Sequence, residues 1–189
     1  MRRTSLPALL AVLALAGIAS PALADSSGGA SPTGGAAPSG GATPSYSDSE
    51  SPPTAAAATL HRGIAHAPAG APQAVQLAIA AANRIRHKPY VWGGGHGSWR
   101  ARGYDCSGAV SYVLHAADLI KSPEVSGALA SWGRKGRGDW ITVYANSGHA
   151  YMVIAGLRYD TSGPGQSGPR WRGQSRSSRG FRVRHPRGL

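Results

Sequence analysis

The sequence predicts an α+β domain in which N-terminal helices pack on a small antiparallel β-sheet. Three observations predict it. Two stretches repeat apolar residues at helical spacing, and a later run of β-branched and aromatic segments is broken by short turns. No clear βαβ unit, the signature of a parallel sheet, surrounds the glycine-rich segment between the helices.

The chain opens on a different kind of sequence. Residues 1–24 carry Arg2 and Arg3, an apolar run from Ala8 to Ala19 too short to span a bilayer, and Ala22-Leu23-Ala24 as a small-residue cleavage site. They are expected to form a secretory signal removed near Ala24, so that the mature chain begins near Asp25 and is secreted or wall-associated. No cysteine lies near that site to be lipidated. Residues 25–65 are dominated by Ser, Gly, Ala, Pro and Thr and are expected to be a disordered tether, either glycosylated or a plain spacer. Residues 66–189 suffice for one domain.

Within that domain Ala71–Arg86 reads as the first helix. Pro72 suits its first turn, Val75, Ile79, Ala82 and Ile85 recur on one face, and arginines occupy its last turn. Lys88–Gly95 follows, where proline and three glycines forbid a regular element and imply close backbone packing. The second helix is expected from Asp105 to Leu119, with Ala109, Val110, Val113 and Ala117 on its apolar face. Asp139–Tyr144, His149–Ile154 and Leu157–Thr161 then read as three strands of a meander, and Phe181–Val183 as an added edge strand.

Cys106 is the chain's one cysteine. In an exported protein such a thiol is an inert buried residue, an intermolecular crosslink or a nucleophile. Its neighbours Asp105 and Ser107 argue against an apolar pocket, and the start of a helix supplies unpaired amides that stabilise a thiolate. Gly108 is expected to leave room for a substrate backbone, and the Cys106 amide to face a developing oxyanion. A thiolate hydrolase also needs a base and a group to orient it. In the meander, the start of the second strand and the end of the third lie side by side. His149 therefore falls next to Asp160, or to Thr161.

The chain carries 20 Lys and Arg against 8 Asp and Glu, a formal charge of +12, with arginines crowded after Arg170. Such a surface favours polyanions, unless it is simply a solvated basic tail. Gly93–Gly97 lacks the Lys-Ser/Thr of a phosphate-binding loop, and the seven histidines show no metal spacing such as His-Glu-x-x-His. No metal or cofactor is expected. Trp99, Trp132 and Trp171 suit either a ligand groove or ordinary packing.

Taken together, Tyr90-x-Trp92-Gly93-Gly94, then Asp105-Cys106-Ser107-Gly108, then a glycine-preceded His149 opening an apolar strand, resemble the NlpC-type family of papain-like cysteine peptidases. The resemblance covers residues 76–161. It implies an NlpC-type fold and a secreted peptidoglycan hydrolase that cleaves stem-peptide amides, at the bond joining D-glutamate to the diamino acid. It makes Cys106 the nucleophile, His149 the base and Asp160 the orienter, where the family often has His, Asn or Gln. Tyr90, Trp92, Asp105 and Ser107 become substrate-binding residues. The partners implied are stem peptides and anionic wall polymers, with no nucleic acid, no membrane span and a monomeric chain. The alternatives are a non-catalytic basic wall-binding protein, or an amidase or acyltransferase on the same fold.

Overall fold

The computed structural model describes residues 57–189 apart from residue 166. Residues 1–24, expected to form a secretory signal, and residues 25–56 of the segment expected to be a tether lie outside them. Regular structure is found inside the segment expected to be a tether. β1 (Thr59–His61) and β2 (Ile64–His66) form an antiparallel hairpin in the last part of the segment read as tether. Its two-residue turn holds Arg62 and Gly63 both at positive φ, the geometry that matches the twist of paired strands. Two contacts dock it. The Ala58 amide donates to the Ala155 carbonyl at 2.8 Å, and the Asn83 side chain exchanges two hydrogen bonds with the backbone of Ala65.

α1 (Gln73–Ile85) follows Pro72 and buries Val75, Ala78, Ile79, Ala81, Ala82 and Ile85. Each buried branched side chain contributes about 1.5–3 kcal/mol, and the alanines allow close approach to a partner helix. That partner is α2 (Cys106–Ala116), which buries Ala109, Val110, Val113 and Leu114. A third, single-turn helix, α3 (Ser126–Leu129), leads toward the sheet. Between them the Ser111 hydroxyl donates to the Glu124 carbonyl and accepts from the Glu124 amide.

The sheet contains β3 (Arg134–Lys135), β4 (Ile141–Ala145), β5 (Ala150–Ile154), β6 (Leu157–Asp160), β7 (Arg170–Arg172) and β8 (Arg182–His185). Its order is β3-β8-β4-β5-β6-β7, antiparallel throughout. The α+β class and the meander are as expected. The C-terminal part is not, because β8 is no edge strand: it sits between β3 and β4. The stretch from residue 163 onward therefore belongs to the sheet rather than trailing from it.

The two faces of the sheet differ. Ile141, Val143, Met152, Ile154 and Tyr159 join the helices in one core, and the Tyr159 hydroxyl donates to the Ala82 carbonyl of α1 at 3.0 Å. On the other face Tyr144 and Tyr151 stack at 4.6 Å, with Phe181 edge-on to Tyr151 at 5.1 Å. The C-terminal segment leading into β8 covers this second face. Among the described residues no helix is long and apolar enough to cross a membrane.

Candidate active site

Two local structures set the site. The first is the start of α2. Asp105 caps it, accepting from the Gly108 amide at 2.7 Å through Oδ1 and from the Gly93 amide at 3.1 Å through Oδ2. One carboxylate thus fastens the glycine-rich loop to the first turn of the helix. Gly94 completes the joint: its carbonyl accepts from the Asp105 amide at 3.1 Å, and a Cβ on Gly108 would lie 2.0 Å from that oxygen. Gly108 makes room for the chain's own loop, and not for a substrate backbone as its sequence context suggests.

The second is the turn between β5 and β6. Ala155 and Gly156, both at positive φ, close a two-residue hairpin that pairs Ile154 with Leu157 and Met152 with Tyr159. That register settles the choice left open by the sequence. Asp160 Oδ1 accepts from His149 Nε2 at 2.9 Å, whereas the Thr161 hydroxyl is buried without a partner.

Asp160 is 2% exposed and surrounded by donors. Besides His149 it receives the Ser162 amide at 2.9 Å, the Ser162 hydroxyl at 3.0 Å and Arg176 Nη1 at 2.9 Å, with Arg158 Nε 3.7 Å away. Burial alone would push its carboxyl up. The bonds from His149 and the Ser162 amide, with Arg176, outweigh it and hold Asp160 at about 2. An ionised Asp160 requires the proton on His149 Nε2, so Nδ1 is the nitrogen left for the thiol.

Cys106, the first residue of α2, is buried, and the His149 side chain and the Ala150 backbone act on its thiol. Burial pushes the thiol up; the His149 side chain, the Ala150 backbone and the positive charge of the imidazole outweigh it and bring the net value below the ordinary 9.0. For His149 the balance runs the other way. Burial would lower it, but the hydrogen bond to Asp160, the neighbouring Cys106 thiol and the charges of both raise it from 6.5 to about 9. With one group lowered and its neighbour raised, both shifts favour moving the proton from the thiol to the imidazole.

Tyr90 is half-buried beside this pair. Burial first, then the charges of Cys106 and Asp105, raise its phenol, which remains a donor. Trp92, 87% exposed, projects from the same loop. Asp105 and Ser107 are placed differently. Both are buried, and their polar atoms are committed to each other, to the loop amides and to His96, whose Nε2 lies 3.1 Å from Asp105 Oδ1 and 3.2 Å from Ser107 Oγ. Two residues here escape sequence reasoning. His96 carried no signal beyond a glycine-rich context. Arg176 lies in a polar stretch without periodicity, yet its guanidinium sits 5.2 Å above both the Tyr151 and Phe181 rings and 3.5 Å from His149 Nε2. Of the tryptophans, Trp171 packs on Tyr159 and donates to Asn83 Oδ1, and Trp132 lies against the core.

No family model matches the chain, and no curated protein sequence matches it either. Solved structures do. The peptidoglycan hydrolase RipB from Mycobacterium tuberculosis is 23% identical over 60% of this chain, with a TM-score of 0.48. The chain spans 64% of RipB's length. The P60 domain of a Mycobacterium avium subspecies paratuberculosis antigen is 24% identical over 59% of this chain and 94% of its own, with a TM-score of 0.46. RipD from Mycobacterium tuberculosis, described as a non-catalytic NlpC/p60 domain protein adapted to peptidoglycan binding, is 19% identical over 61% of this chain and 98% of its own, also at 0.46. This chain is thus similar to solved structures of NlpC/p60 proteins, both hydrolytic and non-catalytic.

Proposed function

We propose that the chain is an NlpC-type cysteine peptidase that acts on peptidoglycan stem peptides outside the cell, after removal of residues 1–24. The observation that carries this reading is the relay of Cys106, His149 and Asp160, with the thiol lowered and the imidazole raised. A wall-binding protein that performs no chemistry has no need of such a pair.

In the proposed reaction the Cys106 thiolate attacks the carbonyl carbon of a stem-peptide amide. The oxyanion is met by the Cys106 amide and the Tyr90 hydroxyl. As the C–N bond breaks, the imidazolium of His149 gives its Nδ1 proton to the departing amine, leaving a thioester on Cys106. Neutral His149 then takes a proton from water, whose oxygen attacks the thioester and restores the thiolate and imidazolium. Asp160 holds the ring throughout. Tyr90 and Trp92 meet the peptide, while Asp105 and Ser107 hold the loop that carries them. The bond between D-glutamate and the diamino acid is the proposed target, by the family resemblance.

The test is digestion of peptidoglycan sacculi by the mature chain and by Cys106→Ala, with soluble products read by mass spectrometry. Dipeptide-containing fragments are expected from the parent, and a rate lower by about 10³-fold or more from the variant. If neither protein released fragments while both pelleted on the sacculi, the basic wall-binding reading would replace this one.

A further inference from the structure

Against the 99–104 segment lies a cavity of about 370 Å³ that none of Cys106, His149 and Asp160 lines. Four cationic side chains line it: Arg84 from α1, then Lys88, Arg100 and Arg102. No carboxylate does, and among the described residues none of the four is ion-paired. Gathering like charges without a counterion raises the energy of the empty protein, and an anion in the cavity relieves it.

The remaining lining is Ile85 and Ala101 with three aromatic residues, Trp99, Tyr104 and Tyr112. Trp99 is stacked on His115 at 4.0 Å with the rings 4° from parallel, so its indole is held as a fixed plate. Tyr104 is 1% exposed and its hydroxyl donates to the Trp99 carbonyl at 2.6 Å and accepts from the Ala101 amide, closing the segment that bears Arg100 and Arg102. Tyr112 accepts from Arg84 Nη1 at 3.3 Å. Cations on a braced loop beside a flat ring suit a ligand with negative charge and an apolar ring face. A simple inorganic anion has no use for the indole, and an apolar ligand has none for the guanidinium groups.

We propose that this cavity is a second binding site, which takes the anionic groups of a wall saccharide polymer on its arginines and a sugar face on Trp99. The inference rests on the wall as the place of action, as above, but not on Cys106 being a nucleophile. The anion has two possible sources with the same chemistry, a phosphodiester-linked polymer and saccharide carboxylates.

The experiment is cosedimentation at fixed ionic strength with sacculi that retain their phosphodiester polymers and with the same sacculi stripped by hydrofluoric acid. The proteins are the parent chain, Arg100→Gln/Arg102→Gln, and Arg134→Gln/Arg137→Gln as an equally exposed pair around the β3 turn. Hydrolysis of a soluble muropeptide is followed in each preparation, so that loss of binding is separated from loss of fold and from failure of the thiol reading. The cavity pair is expected to bind intact sacculi about tenfold more weakly than the parent and the control pair within about twofold of it. A difference that vanishes on stripped sacculi assigns the phosphodiester source, and one that persists assigns carboxylates. Equal losses in the two pairs, or no loss in the cavity pair, would overturn the proposal.

Discussion

At the scale of single residues, Asp160 acts on the proposed chemistry through its hydrogen bond to His149. Its carboxylate, held at about 2, keeps the imidazole at about 9, against an ordinary 6.5. The proposed active form, thiolate beside imidazolium, exists between the lowered pKa of Cys106 and the raised one of His149. The alkaline limb of kcat/KM against pH therefore belongs to His149 and is expected near 9. In Asp160→Asn the carboxylate's support is gone, so that limb should move down toward 6.5 and the rate fall by roughly 10²-fold or more. A profile whose alkaline limb stayed in place would show that Asp160 does not act on His149. The same shifts set the pH dependence of stability. The raised His149 contributes stability that is fully present below 6.5 and is lost as pH rises through about 9. The depressed Asp160 contributes stability that is present above 3.8 and is lost as pH falls through about 2.

At the scale of elements, the decisive joint is the glycine-rich loop laid against the first turn of α2. Gly108 lies inside a helix, where alanine is ordinarily better by about 1 kcal/mol. Here the added Cβ would meet the Gly94 carbonyl at 2.0 Å, backbone against backbone, with Asp105 Oδ1 3.1 Å away. Gly108→Ala is expected to destabilise the fold by about 1–3 kcal/mol and to remove activity, because the loop carries Tyr90 and the helix start carries Cys106. Gly127→Ala in α3, where nothing lies within 4 Å, is the control and should be neutral or slightly stabilising. Thermal unfolding of the two variants decides it, and equal melting temperatures would contradict the packing described. Much at this scale was legible in the sequence. Both long helices, β4, β5 and β6 announce themselves because each buries a periodic apolar face. The β1–β2 hairpin does not, since only Ala65 in its strands is buried and its order comes from Asn83 and Ala155. β7 is equally hidden, because arginines flank a single buried Trp171; β8 is foreshadowed by the strand read at Phe181–Val183, but its place between β3 and β4 is not, since it has no apolar alternation.

At the scale of the whole molecule, the sheet and the α2 helix bring residues 43 positions apart in sequence, Cys106 and His149, near enough for each to shift the other's proton affinity, and the C-terminal segment completes the arrangement from behind. The order of Cys106, His149 and Asp160 could be read from motifs and a meander. The covering of Tyr151 and Asp160 by Arg176 and Phe181 could not, because it joins polar and aromatic residues whose spacing follows no period. The proposed function requires that the fold turn Cys106 into a thiolate by pairing it with His149. The most direct measurement is the rate of Cys106 alkylation by iodoacetamide as a function of pH, in the parent and in His149→Ala. The parent should react through a thiol titrating below its ordinary 9.0, and the variant should lose that low-pH reactivity. Identical profiles in the two proteins, both rising only near 9.0, would contradict the account.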